Sequence, residues 1–231
     1  MTIAENVARI RAEMCEAAVR AGRDPKEILL CAASKMNDAA RVREAVAAGV
    51  DCCGENRVQE LTQKLAEHAY DGVPVHFIGH LQTNKVRQVV GKVALLHSVD
   101  RRELLVCVQK EAARQGLVQD ILLEINIGAE ESKSGLTPDE AIAVAGEMEA
   151  YPNCRLRGLM AIPPVSKKAG DNCRYFEKIH TISVDITAKK YHNSSMDILS
   201  MGMTDDFADA IACGSTMIRV GTAIFGARHY L

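Results

Sequence analysis

The sequence predicts a (β/α)8 barrel of the TIM type, with one extra helix ahead of the first strand. Three observations support this fold class. Eight short apolar or β-branched runs recur along the chain, helical stretches fall between them, and charged or amide side chains gather at the C-terminal ends of the runs. The 231 residues are expected to form one domain, 1–231, near the small end of the usual ~250-residue barrel. The rival is a doubly wound open sheet, which often carries G-x-G-x-x-G after its first strand. Here that turn reads SKMN.

The extra helix comes first, with Ile3, Val7, Ile10, Met14 and Ala17–Ala18 recurring at helical spacing. The strands are expected at ILLCAAS (28–34), VDCCGEN (50–56), VHFIGH (75–80), ALLHSVD (94–100), ILLEINI (121–127), LRGLMAI (156–162), ILSMGM (198–203) and TMIRVGT (216–222). Several are apolar nearly throughout, as parallel strands covered on both faces are. After the first strand, Asn37 is expected to cap a helix running through Ala48, with Gly49 just past its end. RRELLVCVQKEAARQ (101–115) places Leu104, Leu105, Val108 and Ala112 on one stripe. Thr137-Pro138-Asp139-Glu140 is a capping box with proline at the first helical position, opening a helix through Glu149. The stretch 163–195 holds a polar loop, PPVSKKAGDN, and then a partly β-branched segment read as helix. Thr204, Asp205 and Asp206 open a last helix ending at Gly214, their carboxylates suiting the positive end of its dipole.

Composition excludes several classes. Hydrophobic residues at 48% and charged residues at 25% are ordinary for a globular chain and exclude disorder. No apolar run reaches the ~18 residues of a membrane span. MTIAENVARIRAEM carries Glu5 and Glu13 among its arginines and lacks an apolar core, so it is not a targeting signal, and a cytoplasmic protein is expected. Lys and Arg total 28 against 30 Asp and Glu, with no basic tract and 4% aromatics. That argues against nucleic acid or an anionic membrane as partner and leaves a small anionic ligand open. The eight cysteines form no C-x-x-C pair and read as small buried hydrophobes in a reducing compartment.

Ligands and chemistry gather at the C-terminal ends of barrel strands. Those ends carry Lys35, Asn56, His80, Ser98 with Asp100, Asn126, Met160, Ser200 with Gly202, and Arg219 with Gly221. A lysine ending an apolar strand either turns outward or loses solvation and becomes a nucleophilic amine suited to Schiff-base chemistry. Arg219 interrupts an uncharged strand, so it either pairs with Glu55, Asp100 or Glu124 or faces a ligand. Gly221-Thr222, with Gly226 and Ala227 close behind, offers bare backbone N–H groups and a hydroxyl where barrels habitually bind phosphate. Ser200-Met201-Gly202 could supply the other half. His76 and His97 fall early or midway in their strands, so with His80 they are not expected to converge, and no metal site is expected. Ser34 and Lys35 fall on opposite strand faces, which argues against a Ser-Lys nucleophile.

AASK (32–35), GENRVQE (54–60), HFIGHLQTNKVR (76–87), HSVD (97–100), EESKSGL (130–136), LRGLMAIPP (156–164), SMGMTDDF (200–207) and IRVGTAIFGAR (218–228) resemble, in order, the pyridoxal phosphate homeostasis protein family, which is related to the N-terminal barrel of alanine racemases. The resemblance implies a barrel that binds pyridoxal phosphate (PLP) and buffers or delivers it, with apo PLP enzymes as recipients and no substantial turnover. Lys35 would carry the Schiff base, and Arg219 would face the pyridine nitrogen. Ser200, Gly202, Gly221 and Thr222 would hold the phosphate, and Asn56, His80 and Met201 would line the ring pocket. Lys133 would be a secondary contact.

A PLP-dependent amino-acid racemase is the alternative, and a phosphosugar-binding barrel a weaker third. An arginine at the ring nitrogen disfavours its protonation, which speaks against transamination. Racemisation needs a second base across the cofactor, and the related racemases take it from a tyrosine of a second domain. The chain ends at Leu231, so that domain is expected to be absent, a monomer is expected, and Tyr230 is the tyrosine to watch.

Overall fold

Eight parallel strands close into a barrel in sequence order in the computed structural model, which describes residues 1–130, 133–166 and 168–226. The strands are β1 (Leu29–Ala33), β2 (Cys52–Glu55), β3 (Val75–Phe77), β4 (Leu95–Val99), β5 (Gln119–Ile125), β6 (Cys154–Ala161), β7 (Ser194–Ser200) and β8 (Met217–Val220). Around them run α1 (Ile3–Arg20), α2 (Ala39–Ala47), α3 (Val58–Ala66), α4 (Arg102–Gln115), α5 (Pro138–Gly146), α6 (Cys173–Lys189), α7 (Phe207–Ala212) and α8 (Thr222–Phe225), with a 3-10 turn at Thr83–Gln88 standing between β3 and β4. Each of the eight expected runs overlaps a strand, but β7 is displaced: it starts at Ser194, four residues before the run ILSMGM, and ends at Ser200. β2 and β3 end early, which leaves Asn56 and His80 on loops just past their strands.

The core has two layers. Leu30, Ala32, Cys53, Phe77 and Leu96 face outward and pack against the helices, while Cys31, Cys52, Met217, Leu95, Leu122 and Met160 fill the barrel interior. The division follows from the strand period of two. β1 and β8 close the barrel with Cys31 opposite Arg219. The extra helix α1 buries the stripe read from the sequence against α7, α8 and α2, and Asn6 Nδ2 donates to Ile224 O at 2.9 Å. Register shifts beside Gly158 on both neighbours of β6, and Gly158 sits at φ 152°. An added Cβ would stand 1.8 Å from Ile198 O, so only glycine fits this bulge.

Helix ends correct the sequence reading in three places. Asp38, not Asn37, caps α2, accepting from Arg41 N at 2.9 Å. α5 keeps its Thr137–Glu140 capping box but stops at Gly146, and a 3-10 turn, Met148–Ala150, follows. α7 begins only at Phe207, because Asp206 Oδ1 accepts from Met203 N at 2.7 Å and closes a turn first. The segment read as helix in 163–195 is α6. Among the described residues, no helix is long and apolar enough to cross a membrane.

Candidate functional site

The C-terminal ends of β1 and β8 meet at a cavity of about 220 Å³. Lys35, Asn37, Thr204, Asp205, Arg219 and Thr222 give it polar lining, and Gly221 and Gly226 bring bare backbone to it. A larger hollow of about 900 Å³ lies on the flank beside α6 and α7, but no strand-end residue singled out above lines it. The small cavity is therefore the candidate site.

Alternation along β1 separates Ser34 from Lys35. Ser34 Oγ donates to Glu55 Oε1 at 2.6 Å behind the sheet, while half-buried Lys35 lines the cavity. Gly221 allows the two strand ends to approach, since a Cβ there would stand 3.3 Å from Ala33 O. α8 starts immediately after it. Ile224 N and Phe225 N donate to Gly221 O, which leaves the N–H groups of Thr222 and Ala223 without an acceptor in the turn, and the exposed Thr222 hydroxyl stands beside them. Asn37 ties the rim together. Its Nδ2 donates to Lys35 O at 3.0 Å, its Oδ1 accepts from Arg41 Nε at 3.0 Å, and Arg41 also donates to Phe225 O.

Behind Lys35 lies a buried ionic network that sequence reasoning missed. Glu55 is fully buried, and its Oε1 accepts from Lys64 Nζ at 2.7 Å and Tyr70 OH at 3.0 Å as well as from Ser34. Lys64 also donates to Ser34 O at 2.8 Å. Desolvation and Glu55 push the Tyr70 hydroxyl far above its usual range, so it stays a donor. No pattern in the sequence marks these residues as partners; only the pairing of β1 with β2 does.

Arg219 is 4% exposed and enters the barrel interior. Nη1 donates to Ser200 O and Ser200 Oγ, both at 2.6 Å, and Nη2 donates to Ala161 O at 3.1 Å. Burial lowers its pKa, and Cys31, Glu124 and Asp206 act against that. None of the carboxylates weighed from the sequence forms an ion pair with it. Glu55 serves Lys64, Asp100 serves His80 and Arg101, and Glu124 acts at longer range. Burial, reinforced by Asp100 and opposed by Arg219, pushes Glu124 up to about 7.

The remaining expected residues divide. Gly221 and Thr222 are at the cavity with Lys35 and Arg219. Ser200 is not: its fully buried hydroxyl is occupied by Arg219 and by His97 Nδ1 at 3.0 Å. Met201 is also fully buried, in the outer core, because it faces the opposite side of the strand from Ser200. Gly202 follows at φ 94°, outside the cavity lining. Asn56 and His80 stand outside that lining too. Asn56 Oδ1 is buried without a hydrogen-bond partner, and His80 Nδ1 pairs with Asp100 Oδ2 at 2.8 Å and Ser134 Oγ at 3.3 Å. Lys133 Nζ lies 2.5 Å from Glu130 Oε1 and donates to Pro163 O at 3.2 Å, which ties two loops together. Ala227 and Tyr230 fall outside the described residues.

The histidines correct the sequence reading. His76 Nδ1 and His97 Nε2 are 3.0 Å apart, because neighbouring strands of the barrel bring inward-facing residues level. Burial holds His76 at about 4 and, with His76 and Arg219 nearby, drives His97 well below its usual value, so both are neutral. The result is a relay from His76 through His97 and Ser200 to Arg219.

An amine, a hydroxyl and unpaired backbone N–H groups on one small cavity suit a ligand carrying both an aldehyde and an anion. Comparison with known proteins narrows this chemistry. A family model described as "Alanine racemase, N-terminal domain" matches residues 2–229. A "Pyridoxal phosphate homeostasis protein" of Pseudomonas aeruginosa is 42% identical over 230 residues, covering 99% of this chain and 97% of its own. Its namesake in Escherichia coli K12 is 41% identical over 231 residues, with coverages of 99% and 97%. The solved structure of PipY from Synechococcus elongatus PCC7942, with PLP bound, superposes at TM-score 0.84 and 32% identity, covering 97% of this chain and 100% of PipY. With near-complete coverage at such identity, this chain belongs to the pyridoxal phosphate homeostasis proteins of the alanine racemase N-terminal domain family.

Proposed function

We propose that the protein binds pyridoxal phosphate at the Lys35–Thr222 cavity as a Schiff base on Lys35 and buffers or delivers it to apo PLP enzymes. It does so in the cytoplasm as a monomeric, single-domain barrel without substantial turnover. The observation that carries this reading is that Lys35, Arg219, Gly221 and Thr222 line one cavity. PipY, a relative at 32% identity, is known with PLP bound. The orphaned Asn56 Oδ1 adds a buried acceptor at the barrel mouth.

When bound, PLP supplies an aldehyde that condenses with an amine and a ring that withdraws electrons. Lys35 would hold that aldehyde through its amine, releasing water. Thr222 Oγ1 and the N–H groups opening α8 would hold the phosphate, with Gly221 keeping that backbone within reach. Three of Arg219's five N–H donors are used by Ser200 and Ala161, which fixes the guanidinium in the cavity wall. Arginine keeps its proton, so Arg219 facing the ring nitrogen disfavours protonation there and weakens electron withdrawal. His80, the other base near the mouth, is oriented by Asp100 but stands outside the lining of the Lys35 cavity, which places it poorly for proton delivery there.

Borohydride reduction of the purified protein tests the lysine. A visible chromophore and a reduced adduct on the Lys35 peptide are expected, both lost in Lys35→Ala. An adduct of equal yield on another lysine sinks the assignment. Turnover is tested by exchange of the Cα proton of L-alanine and other amino acids into deuterated water. Lys35-dependent exchange at about 1 per second or faster, typical of enzymes, would replace carriage by racemisation.

A further inference from the structure

Cys31, Cys52 and His76 rise from three neighbouring strands and face one another inside the barrel. One donor atom from each lies within 4.8 Å of the other two, and all three residues are buried. Cys31 and Cys52 are register partners on β1 and β2 and share a small buried cluster with Met217. The proposed function uses none of the three.

We propose that this triad is a zinc site, with Cys31 and Cys52 as thiolates, His76 as a neutral imidazole and a water as fourth ligand. Tetrahedral zinc, with bonds of about 2.0–2.3 Å, spaces its donors roughly 3.5–3.8 Å apart, so only a small contraction closes the triad. Thiolate and imidazole donors select soft or borderline ions. Two thiolates and Zn²⁺ sum to zero, and Arg219, opposite Cys31 in register and without a carboxylate ion pair, leaves no uncompensated negative charge in the interior. As two Zn–S bonds form, two S–H bonds break and both protons pass to the buffer; no electrons move. A disulfide between the two cysteines would instead need an oxidant to reach atoms shielded from solvent.

The surroundings supply the support a metal-bound histidine usually has. With one nitrogen on zinc, the other keeps its proton and donates to His97. His97 in turn donates from Nδ1 to Ser200 Oγ, which also accepts from Arg219. Zinc thereby fixes one direction of the relay that reaches the cofactor cavity. The inference does not depend on the cofactor reading, since all three donors lie apart from the cavity lining.

The test is metal analysis of the full chain, produced with zinc in the medium, kept reduced, and desalted without chelator. About one zinc per chain is expected. Cys52→Ser is expected to retain roughly tenfold less or lower still, while Cys15→Ser, on an exposed thiol, retains the wild-type amount. If Cys52→Ser does not fold, the unmodified protein loaded with Co²⁺ decides, because thiolate-to-cobalt charge transfer with intense tetrahedral d–d bands is expected. Trace zinc in the wild type, undiminished zinc in folded Cys52→Ser, or cobalt without those bands overturns the proposal.

Discussion

Ser200 and Thr222 were paired in the sequence as two hydroxyls for one phosphate, and the structure gives them different work. Ser200 Oγ lies buried between Arg219 and His97, and Thr222 is exposed at the cavity. Ser200→Ala is therefore expected to cost about 1–3 kcal/mol of stability in urea unfolding, because two buried partners lose their contact. Thr222→Val is expected to leave stability within about 0.5 kcal/mol. Its PLP affinity is expected to fall roughly tenfold, measured by titration of the visible band. The reverse pattern would put the phosphate on Ser200. A buried charge gives a sharper residue-scale expectation. Lys64 is 4% exposed and pairs with Oε1 of fully buried Glu55, so Lys64→Met is expected to destabilise the apo protein by about 3–5 kcal/mol. A loss below 1 kcal/mol would mean that Glu55 takes up a proton without cost.

At the scale of elements, the turn from β1 into α2 separates folding from binding within two adjacent residues. Asp38 caps the helix, and Asn37 joins Lys35 O to Arg41. Asp38→Ala is expected to cost about 1 kcal/mol of stability with PLP affinity unchanged, and Asn37→Ala to weaken PLP binding more than it lowers stability. Equal effects on both readouts would show one rigid unit. The same turn marks the reach of sequence reasoning. Asn and Asp are equally good caps, and only the extended backbone at Asp38 chooses between them. The Thr137 capping box was legible because its motif, proline and glutamate included, is local. Strands buried along their length, such as β4, were legible as apolar runs, whereas the first residues of β7 are polar and partly exposed and its start was not. That Lys35, Arg219, Gly221 and Thr222 gather at one cavity was legible because strand-end polar residues break those runs. The convergence of His76 with His97 and the Glu55–Lys64–Tyr70 network were not, because they arise from stagger between strands and helices that no single segment encodes. The partners of Ser200 were hidden for the same reason, since they come from β4 and β8.

For the whole molecule, the barrel interior sets a pH dependence with two opposed parts. His76 titrates near 6.5 when unfolded and at about 4 in the native barrel. The unfolded chain therefore binds protons first, and stability present above pH 6.5 is lost as pH falls toward 4, amounting to about 3 kcal/mol. His97, also lowered by burial, acts with the same sign. Glu124 does the opposite, since its usual value of 4.5 rises to about 7 in the native state. Stability present below pH 4.5 is lost as pH rises to 7, again by about 3 kcal/mol. Between pH 4.5 and 6.5 the two terms offset one another, so the wild-type curve is flatter than either residue alone would give. Glu124→Gln removes one side. Its advantage over wild type in urea unfolding is expected to grow from near zero at pH 4.5 to about 3 kcal/mol at pH 7 and above, leaving a steeper loss on the acid side set by His76 and His97. The comparison at pH 5 and pH 8, with PLP absent and metal removed by chelator, is the measurement. A Glu124→Gln difference that stays constant with pH would show that Glu124 keeps one charge state across that window, and the neutral-carboxyl account of the barrel interior would fall with it.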